Sequence, residues 1–184
     1  LGLVDEEECA PKCKKLSVYK SRDMAMDLLD VALVDIAVSA KSHVGARAIW
    51  EIDTVSQIFL ALARPDSIGL SSIGGMASPI SEGDLNGLHI EIDPQSTNKF
   101  VLAPVTAGNV SKVGIKSVSQ MEPGRAYVVN SSPCTIALDG ERSIPLREGD
   151  SVTVVLSADG PPVIDPHKTL HIVSKKGILY KSLD

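Results

Sequence analysis

The chain has 184 residues, a formal net charge of −5, 43% hydrophobic residues, 22% charged residues and 3% aromatics. That length suits one sizeable domain with its own core, and the composition excludes a disordered chain. The acidic balance argues against nucleic acid as a partner, and no run approaches the roughly 18 apolar residues of a membrane span. With so few aromatics, the core must be built from Val, Ile, Leu and Ala, and little is left for stacking on bases or sugars.

The chain opens Leu1-Gly2-Leu3-Val4 and goes straight into Asp5-Glu6-Glu7-Glu8, which is no signal peptide. It has no initiator Met, from which an upstream segment that was removed is expected. Cys9, Cys13 and Cys134 are odd in number and lack metal-type spacing, which reads as a reduced compartment and a cytoplasmic protein. Lys15–Lys20 alternates as a strand, and Leu28–Ser39 reads as one longer strand. After a break at Gly45, Ala46–Gln57 puts Ile49, Ile52 and Val55 on one face with Trp50 at its flank, which predicts a helix. Ile58–Ala63 is a short apolar run bounded by Pro65, hence a strand. Arg64–Pro79 is rich in Gly and Ser and is either a loop or a short helix whose small residues permit close backbone approach.

From Gly87 onward the pattern becomes strand and turn. Leu88, Ile90 and Ile92 alternate with His89, Glu91 and Asp93 until Pro94 stops the run, which puts His89 on a solvated face. Further strands are predicted at Phe100–Val105, Lys112–Val118, Ala126–Val129, Thr135–Leu138, Ser151–Ser157 and Leu170–Ser174. Pro123-Gly124, Asp139-Gly140, Glu148-Gly149-Asp150, Asp159-Gly160-Pro161-Pro162 and Lys176-Gly177 mark turns between them. Many short antiparallel strands with one or two short helices predict a mostly-β protein, a β-sandwich. Without a repeat or a linker, residues 1–184 read as a single domain.

The chemistry-bearing motifs are few. A Walker lysine loop, a GxGxxG after a strand and a GxSxG are all absent from the sequence. Gly69 to Gly75 imitates glycine-loop spacing without a surrounding βαβ unit. His167 and His171 are four apart, a spacing that suits a helical metal pair, but the expected strand there argues against one, and no metal site is assigned. Asp139-Gly140 is a type I′ hairpin signal in its own right. The alternative is that Asp139 and Glu141 are carboxylates held at a hairpin tip, facing a cleft, where they could accept a proton or orient a hydroxyl. Asp35 lies in an apolar strand run, where a lone carboxylate is costly unless hydrogen-bonded or functional, an edge or bulge position being the other reading.

Three stretches together carry a resemblance. Ala46–Ile58 with Ala63-Arg64-Pro65-Asp66-Ser67-Ile68-Gly69-Leu70-Ser71-Ser72-Ile73-Gly74-Gly75, and Leu102-Ala103-Pro104-Val105-Thr106-Ala107-Gly108, resemble the acetoin-catabolism protein X family. Ile136–Arg142 followed by Glu148-Gly149-Asp150 is similar to the ending shared by the NAD-kinase and diacylglycerol-kinase-like superfamily. The resemblance runs from about Leu28 to Lys176. It implies a two-domain NAD-kinase-like fold, of which this chain is the C-terminal half on the substrate side of the cleft. The α/β half with its Gly-Gly-Asp-Gly-Thr motif is the missing partner, since that motif occurs nowhere in the sequence.

By the same resemblance, Asp139 and Glu141 are the catalytic carboxylates, and Arg64, Asp66, Ser67, Gly69, Gly74 and Gly75 contact a nucleotide or small-molecule substrate, with Asp35 a further candidate. The Thr-Ala-Tyr portion of the NAD-kinase segment is absent, so NAD is not carried over as the acceptor. The full-length protein is expected to use ATP and Mg²⁺ to phosphorylate a small metabolite or cofactor, this chain alone binding neither. The alternative is a non-catalytic nucleotide-sensing or assembly module. Edge strands that need covering and the resemblance both imply a homo-oligomer.

Overall fold

A computed structural model describes residues 6–22, 25–41, 52–130 and 132–180. They fall into two compact units, one of residues 14–158 and one formed by residues 1–13 with 159–184.

In the larger unit, runs of branched apolar residues become strands. The chain lays down β1 (Lys15–Arg22), β2 (Ala25–Ala32), β3 (Asp35–Ser39), β4 (Val55–Leu60), β5 (Gly87–Ile92), β6 (Phe100–Thr106) and β7 (Asn109–Met121), then β8 (Ala126–Val128), β9 (Cys134–Leu138), β10 (Arg142–Leu146) and β11 (Val152–Ser157). Every pairing is antiparallel. Four strands form a small sheet in the order β2-β1-β11-β8, and seven form a large one in the order β10-β9-β3-β4-β5-β7-β6. The mostly-β sandwich expected from the sequence is the architecture found.

The period of two sorts side chains onto the two faces of the large sheet. Ile36, Val38, Phe59, Ile136 and Leu138 point inward and pack with Leu16, Val18, Val152, Val154 and Leu156 of the small sheet. Ala37, Ile58, Leu60, Leu88, Ile90 and Ala137 point to the outer face. There they are covered by Leu70 and Ile73 of a helix, which, counting Glu6–Cys9 as α1, is α2 (Leu70–Ala77). The helical alternative for Arg64–Pro79 is therefore the one realised, within its second half.

Three expectations are corrected. Leu28–Ser39 is two strands in different sheets, β2 and β3, parted by a turn at Leu33 and Val34. Of the helix expected over Ala46–Gln57, residues 46–51 lie outside the described ones. Ile52–Thr54 is a single 3₁₀ turn and Val55–Gln57 begins β4, with a register shift opposite Val38 and Ser39 where it pairs with β3. The strand expected at Leu170–Ser174 is instead part of helix α3 (Pro166–Lys175) in the smaller unit. The Asp165 carboxylate accepts from the Lys168 N–H and Pro166 sits in the first turn, which starts a helix on that apolar run. α3 buries none of its residues, and its Lys176 end pairs with Glu8 at 3.1 Å.

His89 is also placed differently from its solvated expectation. It faces inward on β5, stacked on Phe59 with ring centroids 4.5 Å apart, and burial pushes its imidazole down from the usual histidine value. Gln57 beside it closes the sandwich where β8 is the last strand of the small sheet. Its amide donates to Val128 O at 3.3 Å, and its Oε1 accepts from the Asn130 N–H at 2.7 Å. Glu91 continues this polar seam, accepting from Ser117 Oγ at 2.9 Å and Asn130 Nδ2 at 3.0 Å, bonds that hold its carboxyl below the usual range.

Candidate functional site

The β9–β10 hairpin is built by its turn chemistry. Asp139 and Gly140 both take positive φ, 50° and 69°, and the Glu141 N–H donates to Leu138 O at 3.0 Å. This is the type I′ geometry that Asp-Gly favours. The Asp139 side chain has a second task far away in sequence. Its carboxylate accepts from the N–H groups of Leu33 (2.9 Å), Val34 (2.8 Å) and Asp35 (3.1 Å), the turn that leads from β2 into β3. Its own N–H donates back to Asp35 O at 3.0 Å. Three converging amides make a small anion nest, and the anion that fills it is part of the protein.

Arg142, three residues on, braces the corner. It donates to Asp30 Oδ1 at 2.9 Å and to Val31 O at 2.7 Å, and lies 3.8 Å from Asp139 Oδ2. Arg142 is not among the site residues expected from the sequence, although an arginine three residues after a turn aspartate is a recognisable charge pattern. Glu141 is brought to the same tip but its residue is exposed, on the outside of the turn.

Asp35 is the chemically distinctive member. As the first residue of β3 it pairs with Leu60 of β4, so it shares the sheet face that carries α2. Among the described residues its carboxyl makes no hydrogen bond. Burial, and then the charge of Asp139, push it up to about 6. An unpartnered carboxyl titrating near neutrality is a recognised mark of a functional position.

This value has a consequence for stability. The folded state holds the Asp35 proton more tightly than the unfolded chain, whose carboxyl titrates near 3.9. Folding is therefore favoured below that lower value and loses stability as pH rises from about 4 to about 6, a penalty of roughly 3 kcal/mol at neutral pH. Asp35→Asn is expected to raise the urea midpoint at pH 7.5 and to leave it nearly unchanged at pH 4. Equal effects at both pH values would contradict the assigned titration.

The Arg64–Gly75 segment forms a neighbouring surface on the α2 side. Arg64 and Asp66 are bound to each other, Nε to Oδ1 at 3.1 Å and Nη2 to Oδ2 at 2.9 Å. Ser67 Oγ donates to Arg64 O at 2.6 Å. Gly69, at φ 92°, precedes α2 and its N–H is taken by Pro104 O at 3.1 Å. The close backbone approach expected of Gly74 and Gly75 occurs within the chain itself. A Cβ on Gly74 would overlap Leu60 Cδ1, and one on Gly75 would overlap the Arg64–Pro65 peptide. The structure thus joins Asp35 with Asp139 and sets Gly74 against Leu60, Asp35's partner, while Arg64, Asp66 and Ser67 form a turn of their own.

The described residues do not fit a magnesium–triphosphate group. The guanidinium groups of Arg64 and Arg142 are engaged by carboxylates, and no three His, Cys, Asp or Glu side chains come together as a metal site. His167 and His171 stand one turn apart on α3 without a third ligand among the described residues. The three cysteines are free thiols, and no described helix is long and apolar enough to cross a membrane.

The profile of the family described as "Acetoin catabolism protein X C-terminal domain" matches residues 14–159, nearly the bounds of the larger unit. A relative named acetoin catabolism protein X, from Cupriavidus necator, is 38% identical over 128 residues, which are 69% of this chain and 36% of that protein. The chain therefore spans only about 36% of the length of that curated relative. Among solved structures, yeast NADH kinase complexed with NADH is similar with a TM-score of 0.43 and 10% identity, over 95% of this chain and 52% of that one.

Proposed function

Because the chain belongs to the acetoin catabolism protein X C-terminal domain family, we propose that it supplies the acceptor side of a phosphotransfer site, with Asp35 as the group that receives a proton. The observation that carries this reading is the Asp35 carboxyl, half-buried on the α2 face, without a hydrogen-bond partner among the described residues and pushed up to about 6. Such a base is mostly ionised at neutral pH yet basic enough to take a proton from an acceptor hydroxyl brought against it. Asp139 and Arg142 keep the corner rigid, which is what positioning of an acceptor requires.

ATP and Mg²⁺ belong, in this reading, to residues other than those described. The step assigned to this chain is confined to binding the acceptor, orienting it and accepting its proton. The acceptor is a small metabolite or cofactor carrying a free hydroxyl.

The reading is tested by thermal shift of the protein with NAD, NADP and acetoin, each titrated to about a hundredfold over its dissociation constant. A true acceptor stabilises the native state by about 2.7 kcal/mol under those conditions, or roughly 5–10 °C in Tm for a chain of this size. Asp35→Asn should lose most of that shift while its ligand-free Tm stays at or above the parent value. An undiminished response in Asp35→Asn, or none from any ligand in the parent, defeats the proposal.

A second reading, a module for sensing or assembly without chemistry, is favoured by one feature. Arg64 and Asp66, two of the six residues expected to contact a nucleotide or substrate, are bound to each other.

A further inference from the structure

Two carboxylates meet at the corner of β3 and β9, and the structure treats them oppositely. Asp139 has three backbone N–H donors and a guanidinium 3.8 Å away. Asp35 has no hydrogen bond to its side chain among the described residues, yet its backbone is bonded to Asp139 in both directions, N–H to Oδ1 at 3.1 Å and O from N–H at 3.0 Å. The direction of the Asp35 side chain therefore depends on where the hairpin tip sits.

We propose that Asp139 is a positioning residue for Asp35: seated on the amides of Leu33, Val34 and Asp35, it fixes the backbone that aims Asp35 and keeps a negative charge beside it. The proposal rests on the reading of Asp35 as the acceptor-side base, and it assigns Asp139 a role without substrate contact. The other groups around this corner are few. Arg142 faces Asp139 from β10 and is itself tied to Asp30 of β2. Glu141 lies exposed on the tip. The elements that pack on the α2 face near Asp35, β4 (Val55–Leu60) and α2 (Leu70–Ala77), contain no charged residue. Asp139 is thus the charge that stands beside Asp35 and, after burial, pushes its carboxyl up.

The test is a carbon-13 NMR titration of the Asp35 carboxyl in the parent and in Asp139→Asn. Asparagine keeps an acceptor oxygen for the three amides and tolerates positive φ, so the hairpin can be retained while the charge is removed. In the parent, the Asp35 midpoint is expected near 6, and in Asp139→Asn lower by at least about half a pH unit. An unchanged midpoint in a folded Asp139→Asn would reduce Asp139 to a structural cap and overturn the proposal. If that variant does not fold, the parent decides, because an Asp35 midpoint at an ordinary carboxylate value near 4 overturns it as well. Neither titration needs a ligand. Failure of the acceptor reading appears separately, as a ligand response in Asp35→Asn equal to that of the parent.

Discussion

Gly75→Ala is expected to cost roughly 3 kcal/mol or more. Gly75 lies in the buried part of α2, where the helix passes over the Arg64–Pro65 peptide. An added methyl would overlap the Arg64 carbonyl carbon and Pro65 N and stand 2.7 Å from Arg64 O. These are backbone atoms in a strand-end segment tied by Ala63 N–H to Ile80 O and by Arg64 N–H to Ser71 O, so they cannot swing aside as a side chain would. The helix-propensity gain from alanine, about 1 kcal/mol, is too small to offset overpacking of this kind. Gly74→Ala should cost less, about 1–3 kcal/mol, because its first obstacle is the far end of the Leu60 side chain. Gly83→Ala, with nothing within 4 Å of the added carbon, should be neutral within about 0.5 kcal/mol. Urea unfolding of the three variants checks the order. A Gly75→Ala midpoint equal to that of Gly83→Ala would mean that α2 does not lie this close to the Arg64–Pro65 peptide.

Asp139→Ala is expected to lose about 3 kcal/mol at pH 5. It removes the acceptor of three amide N–H groups and places alanine at a φ of 50°. The three hydrogen bonds of this exposed turn are worth roughly 0.5–1 kcal/mol each, and the left-handed conformation adds about 1 kcal/mol for a residue with a Cβ. The sign of the pH dependence follows from Asp35. Its raised titration point makes it a liability above about pH 6, and part of that liability is the Asp139 charge. Removing the charge returns some stability at pH 7.5 but none at pH 4, where Asp35 is protonated in both proteins. The loss at pH 7.5 should therefore be smaller than at pH 5. A loss that grows with pH would show that Asp35 and Asp139 do not share a field.

These two positions also show what the sequence could and could not tell. The Asp139-Gly140 hairpin is legible because its chemistry is local, two neighbours that tolerate positive φ. The turn that splits Leu28–Ser39 is not legible, because Leu33 and Val34 carry no turn residue; the hydrogen-bonding that makes the turn comes from Asp139, more than a hundred positions away. Period-two alternation found β5 correctly but not the surroundings of His89, since a strand face that looks polar can line a closed seam instead of solvent. On Leu170–Ser174 the apolar run reads as a strand, whereas Asp165 and Pro166 before it cap and start a helix. At the site, residue types were readable and pairings were not. Arg64 and Asp66 looked ligand-facing because nothing in a sequence shows that two charges two residues apart have closed on one another.

The pairing of β1 with β11 sets the order in which the larger unit can be completed. Lys15 lies opposite Ser157 and Lys20 opposite Val152, so the middle of the small sheet is made from the first and last strands of its unit. In the large sheet, by contrast, β3, β4 and β5 are joined in sequence order and can pair as they emerge. During synthesis the apolar inner face of these strands is only partly covered, by β1 and β2, until residue 157 has left the ribosome. High contact order of this kind slows folding and lengthens exposure to aggregation, and here it falls on the sheet that covers the core.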